Sequence, residues 1–345
     1  MIAADDFGQH RNAASPTEMY IVGGRYKPPT ALRKGYQGFQ KAVILALSED
    51  GTYIRTAVEY QSPPEVCPSQ NGAILFKSAS LKDRLLYVCT ETEILIYQTP
   101  DFSLVNYISL PMFNDLHHVI PSCSDSLFVA CTGLDAVFEL SELGEPIHEW
   151  DLSGQGLWTR FDNEIDYRKI ASTKPHLVHP NFVFLRDDEV WVTRLMQQDA
   201  FRLIPFEDRI PIELERPHDG IVFGDNVYFT TVDGRVVRAD LIHRKVDAVF
   251  NLADLFATIH PLGWCRGLKV IDDDRLIVGF SRLRPTRWRS NVHWAARKLK
   301  SAGGTEAKNW DSFPTRISCL DLAQGKILWE TNLEPYGMNA VFSIL

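Results

Sequence analysis

The stretch His118-Val-Ile-Pro-Ser122, Ser126-Leu-Phe-Val-Ala-Cys-Thr132, Ala136-Val-Phe-Glu-Leu140, Ile147-His-Glu-Trp-Asp151 decides the fold. It reads as four short strands, rich in β-branched and aromatic residues, separated by turn signals at Gly133-Leu-Asp135 and Gly144-Glu-Pro146. Four strands meandering through tight turns make one propeller blade. The pattern returns at Gly220-Ile-Val-Phe223, Asn226-Val-Tyr-Phe-Thr-Thr231, Arg235-Val-Val-Arg-Ala-Asp240 and Lys245-Val-Asp-Ala-Val-Phe250, with Asp233-Gly234 as the hairpin turn. Outward from these, six apolar runs each follow a polar residue: Asn71, His118, Asn181, Asp219, Arg266 and Asn339. A motif recurring every ~40–50 residues marks a repeat architecture. The sequence therefore predicts an all-β, six-bladed propeller.

The ends of the chain predict how the ring closes. Asn339-Ala-Val-Phe-Ser-Ile-Leu345 reads as an innermost strand with nothing after it. Met19-Tyr-Ile-Val22, Ala42-Val-Ile-Leu-Ala-Leu47 and Tyr53-Ile-Arg-Thr-Ala-Val58 read as three outer strands with no inner one. Pairing the C-terminal strand with the N-terminal three completes a blade and removes two free edges. Residues 1–18 are expected to form a flexible N-terminal segment ahead of a single propeller domain over 19–345. Insertions at 152–178 and 282–313 fall on connections that emerge where innermost strands begin, so both are expected over the channel mouth.

Of the 345 residues, 45% are hydrophobic and 23% charged, a balance that permits a large core. The net charge of −8 argues against nucleic-acid binding, which needs a basic face. No run of ~18 apolar residues spans a membrane. The polar, acidic start lacks the features of a secretion signal. The six cysteines include no CxxC pair and sit mostly in apolar strands, the usage of a reduced, cytoplasmic protein.

One polar residue per blade, at a common register, converges on the propeller axis. Asn71, His118, Asn181, Asp219 and Asn339 are the candidate metal ligands: oxygen donors suit calcium, whereas a histidine-ligated ion would be a transition metal. His118, His218 and Asp219 are the candidate catalytic groups, the imidazoles as general bases. Arg266, His117, His179 and Trp264 are the candidate substrate-binding groups, with Arg282 and Arg284 from the insertion. Arg282-Leu-Arg-Pro-Thr-Arg-Trp-Arg289 packs four guanidinium groups into one short stretch, and guanidinium forks match carboxylates and phosphates. Together they favour a small anionic ligand. Strand-start Asn, Asp and His can also serve as turn caps, the plain structural reading of the same residues.

The repeat plan, the closure and the ring resemble the six-bladed propellers of the gluconolactonase and senescence-marker-protein family and its paraoxonase and strictosidine-synthase relatives. That resemblance implies a divalent ion in the channel, with Asn181 and Asp219 at ligand positions and Arg266 orienting substrate. It also implies metal-assisted hydrolysis of a lactone or ester. The chain departs from the family pattern in lacking a ring Glu and in carrying His118. Two other readings of the sequence are a non-catalytic scaffold that binds a protein or peptide on the top face, and a lyase or cyclase using the same pocket.

Overall fold

The computed structural model describes residues 18–27, 38–69, 72–205, 208–258, 260–283 and 313–345. Six antiparallel four-stranded sheets make up the six blades of a β-propeller. The closing blade pairs the C-terminal strand Ala340–Ile344 with Met19–Tyr26, followed outward by Phe39–Leu47 and Tyr53–Tyr60. The expected closure is therefore the observed one.

In chain order, the remaining innermost strands are Ser78–Lys82, Leu116–Pro121, Pro180–Arg186, Pro217–Phe223 and Trp264–Val270. Four of these five fall in the anticipated motifs. The second blade differs: its innermost strand is Ser78-Ala-Ser-Leu-Lys82, not the more apolar Ala73–Phe76. The latter pairs with the closing blade instead, where Ile74 bridges Gln40 in parallel. Asn71 and Arg284 lie outside the described residues, as do most of 282–313 and all of 1–17.

Apolar side chains point into the seams between blades, where facing sheets bury each other. Phe182, Phe184 and Trp191 of the fourth blade pack on Val227, Phe229 and Val237 of the fifth. Val341 and Ile344 pack likewise with Ile277 and Ile317. Outermost strands instead alternate: Lys245–Asn251 and Lys326–Asn332 each expose every second residue, the period of a sheet with one wet face.

Five innermost strands carry a register shift near the axis, at His117, Asn181, Asp219-Gly220, Arg266-Gly267 and Phe342. Each is a β-bulge, which bends the strand and re-aims a side chain. Glycine is required at two of them. A Cβ on Gly220 would lie 2.6 Å from the Phe184 ring, and Gly267 has φ +79° against Val341 and Phe342.

Hydroxyls latch the bulges to the preceding blade. Thr193 Oγ1 donates to the Asp219 carbonyl at 2.7 Å, Thr132 Oγ1 donates to the Pro180 carbonyl, and Val341 N donates to Ser281 Oγ at 2.9 Å. No helix among the described residues is long and apolar enough to cross a membrane. The cysteines are all free thiols, four of them buried.

A chain ending at residue 338 lacks the strand that joins the two ends of the ring. Urea titration followed by circular dichroism should show no cooperative transition for it. A truncated chain that unfolds cooperatively within ~1 kcal/mol of the full one would show that the closure is dispensable.

Candidate functional site

A cavity of about 560 Å³ opens on the face where the innermost strands begin. Below it lies a narrow chamber of about 10 Å³, room for roughly one water. Lys77, His117, His218 and Arg266 line both and so mark the deep end of the cavity. The first insertion supplies part of the wall through Ile170, Lys174 and His176.

The bulges decide which side chains reach this space. At Leu116-His117-His118 the shift turns His117 to the cavity and His118 away from it. His117 Nδ1 donates to the Asp115 carbonyl at 2.9 Å, leaving Nε2 as the lone-pair nitrogen. Burial, reinforced by Lys77, pushes His117 down to about 3. Burial holds His179 and His218 well below the ordinary imidazole value, with His117 adding to the first effect and Arg266 to the second. All three rings are thus neutral near pH 7.

Lys77, just ahead of the innermost strand Ser78–Lys82, brings a cation to the cavity. It reaches the Asp115 carboxylate and, at 3.3 Å, Glu91. Burial opposes ionisation of Asp115, but Lys77 outweighs it and holds the carboxyl well below its usual value. Arg266 is half-buried with its guanidinium carbon 5.4 Å from the Phe342 ring, and no carboxylate pairs with it among the described residues.

Asp219 sits at φ +61° in the chamber wall, a left-handed conformation that Asp tolerates. Its carboxylate accepts from Thr230 Oγ1 at 2.5 Å and Gly267 N at 3.2 Å. Burial nevertheless raises it to about 6. Asn181 donates from Nδ2 to the Pro217 carbonyl at 2.7 Å. Its Oδ1 is buried without a partner, as are His179 Nε2, His218 Nε2 and Arg266 Nε. Unsatisfied buried polar atoms are costly and uncommon, and four of them gather around one cavity.

The expected site residues thus separate into two groups. His117, His179, His218, Arg266 and Trp264 line the cavity, and Asn181 and Asp219 line the chamber. His118 lies between blades with both nitrogens engaged: Nε2 meets Ser80 Oγ at 3.1 Å, and Nδ1 accepts from Val183 N at 3.2 Å. Its ring stacks on Phe182 at 3.6 Å. Asn339 Oδ1 accepts from Tyr26 N at 2.9 Å, and Arg282 forms a two-pronged pair with Glu334 at 2.6 and 2.7 Å. These three are not among the cavity-lining residues.

Sequence reasoning missed Lys77, Asp115 and Asp135. The last is fully buried, and its carboxylate accepts from the amides of Leu177, Val178 and His179 and from Arg160 Nη1 at 2.6–3.0 Å. Burial pushes that carboxyl up, but the amides and Arg160 prevail and hold it below its usual value. Asp135 therefore pins the segment that presents His176 and His179, whose Nδ1 atoms are 3.0 Å apart. The Gly133-Leu-Asp135 signal marked a turn there, though not the left-handed Asp135 or its partners.

Among the described residues, the donor set of the chamber does not suit a hard divalent cation. Such an ion wants six to eight oxygens, whereas the chamber offers Asp219 and Asn181 beside two cations, Lys77 and Arg266. No three His, Cys, Asp or Glu side chains among the described residues are grouped to hold a metal.

No family profile and no curated protein matches the chain. Solved structures do. A protein of unknown function from Bacteroides caccae is 14% identical over 96% of this chain and 98% of its own, with a TM-score of 0.58. A chain of a nidogen/laminin complex is 10% identical over 94% and 97%, with a TM-score of 0.55. A streptogramin B lyase is 12% identical over 92% and 88%, with a TM-score of 0.49. At these identities the likeness is one of propeller fold.

Asp219→Asn keeps the shape and the left-handed backbone while removing the titration. Between pH 3.8 and about 6 the folded protein holds a proton that the unfolded chain releases, so stability falls as pH rises across that window. The variant should gain on wild type by on the order of 3 kcal/mol between pH 4 and pH 7 in urea titrations. A difference that is flat with pH would mean that Asp219 titrates normally.

Proposed function

We propose that the channel mouth is the active site of a small-molecule enzyme acting on an anionic substrate. The chemistry that fits best is ester or lactone hydrolysis, as the family resemblance implies. One observation carries the reading: neutral imidazoles with unpartnered nitrogens stand beside an unpaired, half-buried guanidinium at the bottom of one cavity. Buried titratable groups with strongly shifted pKa values in a cleft are the usual mark of acid–base catalysis.

In this scheme Arg266 fixes the substrate's anionic group through its guanidinium fork. That anion also relieves the field that suppresses imidazole protonation, so His218 becomes a stronger base once substrate is present. His218 Nε2 takes a proton from water as the hydroxide oxygen bonds to the acyl carbon. Lys77 stabilises the developing oxyanion. Collapse breaks the acyl C–O bond, and the imidazolium returns its proton to the departing alkoxide. The carboxylate product is the second anion the cavity must hold before release.

The test is turnover of aryl esters and γ- and δ-lactones, each with and without a carboxylate, by the full chain. His218→Asn should lower kcat by 10²–10⁴, the usual contribution of a positioned base. Arg266→Gln should raise KM for carboxylate-bearing substrates at least tenfold and leave uncharged ones nearly unchanged. A stoichiometric divalent metal in the purified protein would transfer the oxyanion role to that ion. Absence of turnover across the panel, with divalent metals present or absent, would favour a non-catalytic binding propeller.

A further inference from the structure

We infer that the cavity takes an amphiphilic anion, head inward and tail toward the rim. This deepens the proposed function by naming the substrate class, and it rests on the same cavity. The depth ordering follows from the two spaces: Lys77, His117, His218 and Arg266 are common to the cavity and the chamber beneath it. Of the two deep cations, Lys77 is matched by Asp115 and Glu91. Arg266 forms no ion pair with a carboxylate among the described residues, although its charge acts on Asp219 in the chamber wall, so the guanidinium left to hold a ligand's anion lies deep. The imidazoles around it are held neutral and add no competing charge.

The rim has the opposite character. Met196 is 55% exposed and Ile170 39%, with Leu195 and Trp264 half-buried beside them in the cavity lining. Exposed apolar groups bordering a concave, polar-floored site mark a binding surface for an apolar group. Lys174 and Arg216 are also at the mouth, but both are exposed, where water screens a charge pair strongly. A half-buried guanidinium binds a carboxylate better than either. The occupant that satisfies both ends is a carboxylate bearing a medium-length alkyl or aryl tail. A volume of about 560 Å³ lies within the range of sites that enclose ligands of that size.

Isothermal titration calorimetry on the full chain with straight-chain alkanoates from acetate to decanoate tests the orientation, with octylammonium and octanol as charge controls. Affinity should rise two- to fourfold per methylene, the increment expected for burying one CH₂. Octylammonium should bind at least tenfold more weakly than octanoate. Arg266→Gln should abolish that charge preference and keep the chain-length slope; Met196→Glu should flatten the slope and keep preference for the shortest anions. Arg266→Met, likewise without charge and close in length, serves if the Gln variant does not fold.

A flat chain-length series, or equal binding of octylammonium and octanoate, would overturn the proposal. So would a charge preference that survives in Arg266→Gln and disappears in Arg216→Gln, since the head would then sit at the rim. Tight binding of octanoate with no turnover of any ester would defeat the hydrolytic reading and leave this one standing. Turnover of short hydrophilic esters with a flat series would do the reverse.

Discussion

Crowding of six strand ends around one axis is the constraint on which the rest of this molecule depends. Each innermost strand must keep its apolar side chains in the seams between blades, yet its first residues face a polar channel. A regular strand sends alternate residues to opposite faces and has no way to change that assignment midway. The bulges at His117, Asn181, Asp219, Arg266 and Phe342 make the change. Beyond each bulge the strand resumes its pairing, so the seam and the channel are satisfied by the same few residues. The hydroxyl latches from Thr132, Thr193 and Ser281 fix the bulges where the ladder bonds are lost.

The same crowding sets the electrostatics. Side chains delivered to the axis are taken out of water, and burial disfavours whichever form is charged. That one cause lowers His117, His179 and His218 and raises Asp219. Lys77 brings its own carboxylates with it, Asp115 above all. Arg266 has no such ion pair among the described residues, and Phe342 offers its guanidinium a ring face.

The fold was legible in the sequence because period-2 strands and turn residues recur with every blade, and because the unmatched strands at the two ends required each other. The site was legible only to within one residue. His117 and His118 are adjacent, and an apolar run starting after His118 makes it look like the channel residue. The bulge reverses that, and a bulge without glycine leaves no mark in the sequence. Where glycine does accompany it, at Asp219-Gly220 and Arg266-Gly267, the expected residues do face the chamber. Lys77 was hidden for another reason. Its strand, Ser78–Lys82, is too polar to stand out beside the apolar segment preceding it.

Asp135 shows how a distant turn shares in building the site. A connection as long as 152–178 gains little from its own short helices, Leu157–Arg160 and Tyr167–Lys169, and closing it carries an entropic cost. Its end is held by a carboxylate that collects three successive amides, an anion cradle built in reverse with the protein supplying the anion. The cradle holds the backbone from Leu177 to His179, so both histidines reach the cavity from a tethered segment. Arg160, from the same insertion, donates to that carboxylate as well, so the loop closes upon itself around Asp135. A propeller can thus add a wall to its channel mouth without altering any blade, provided one turn residue holds the addition in place.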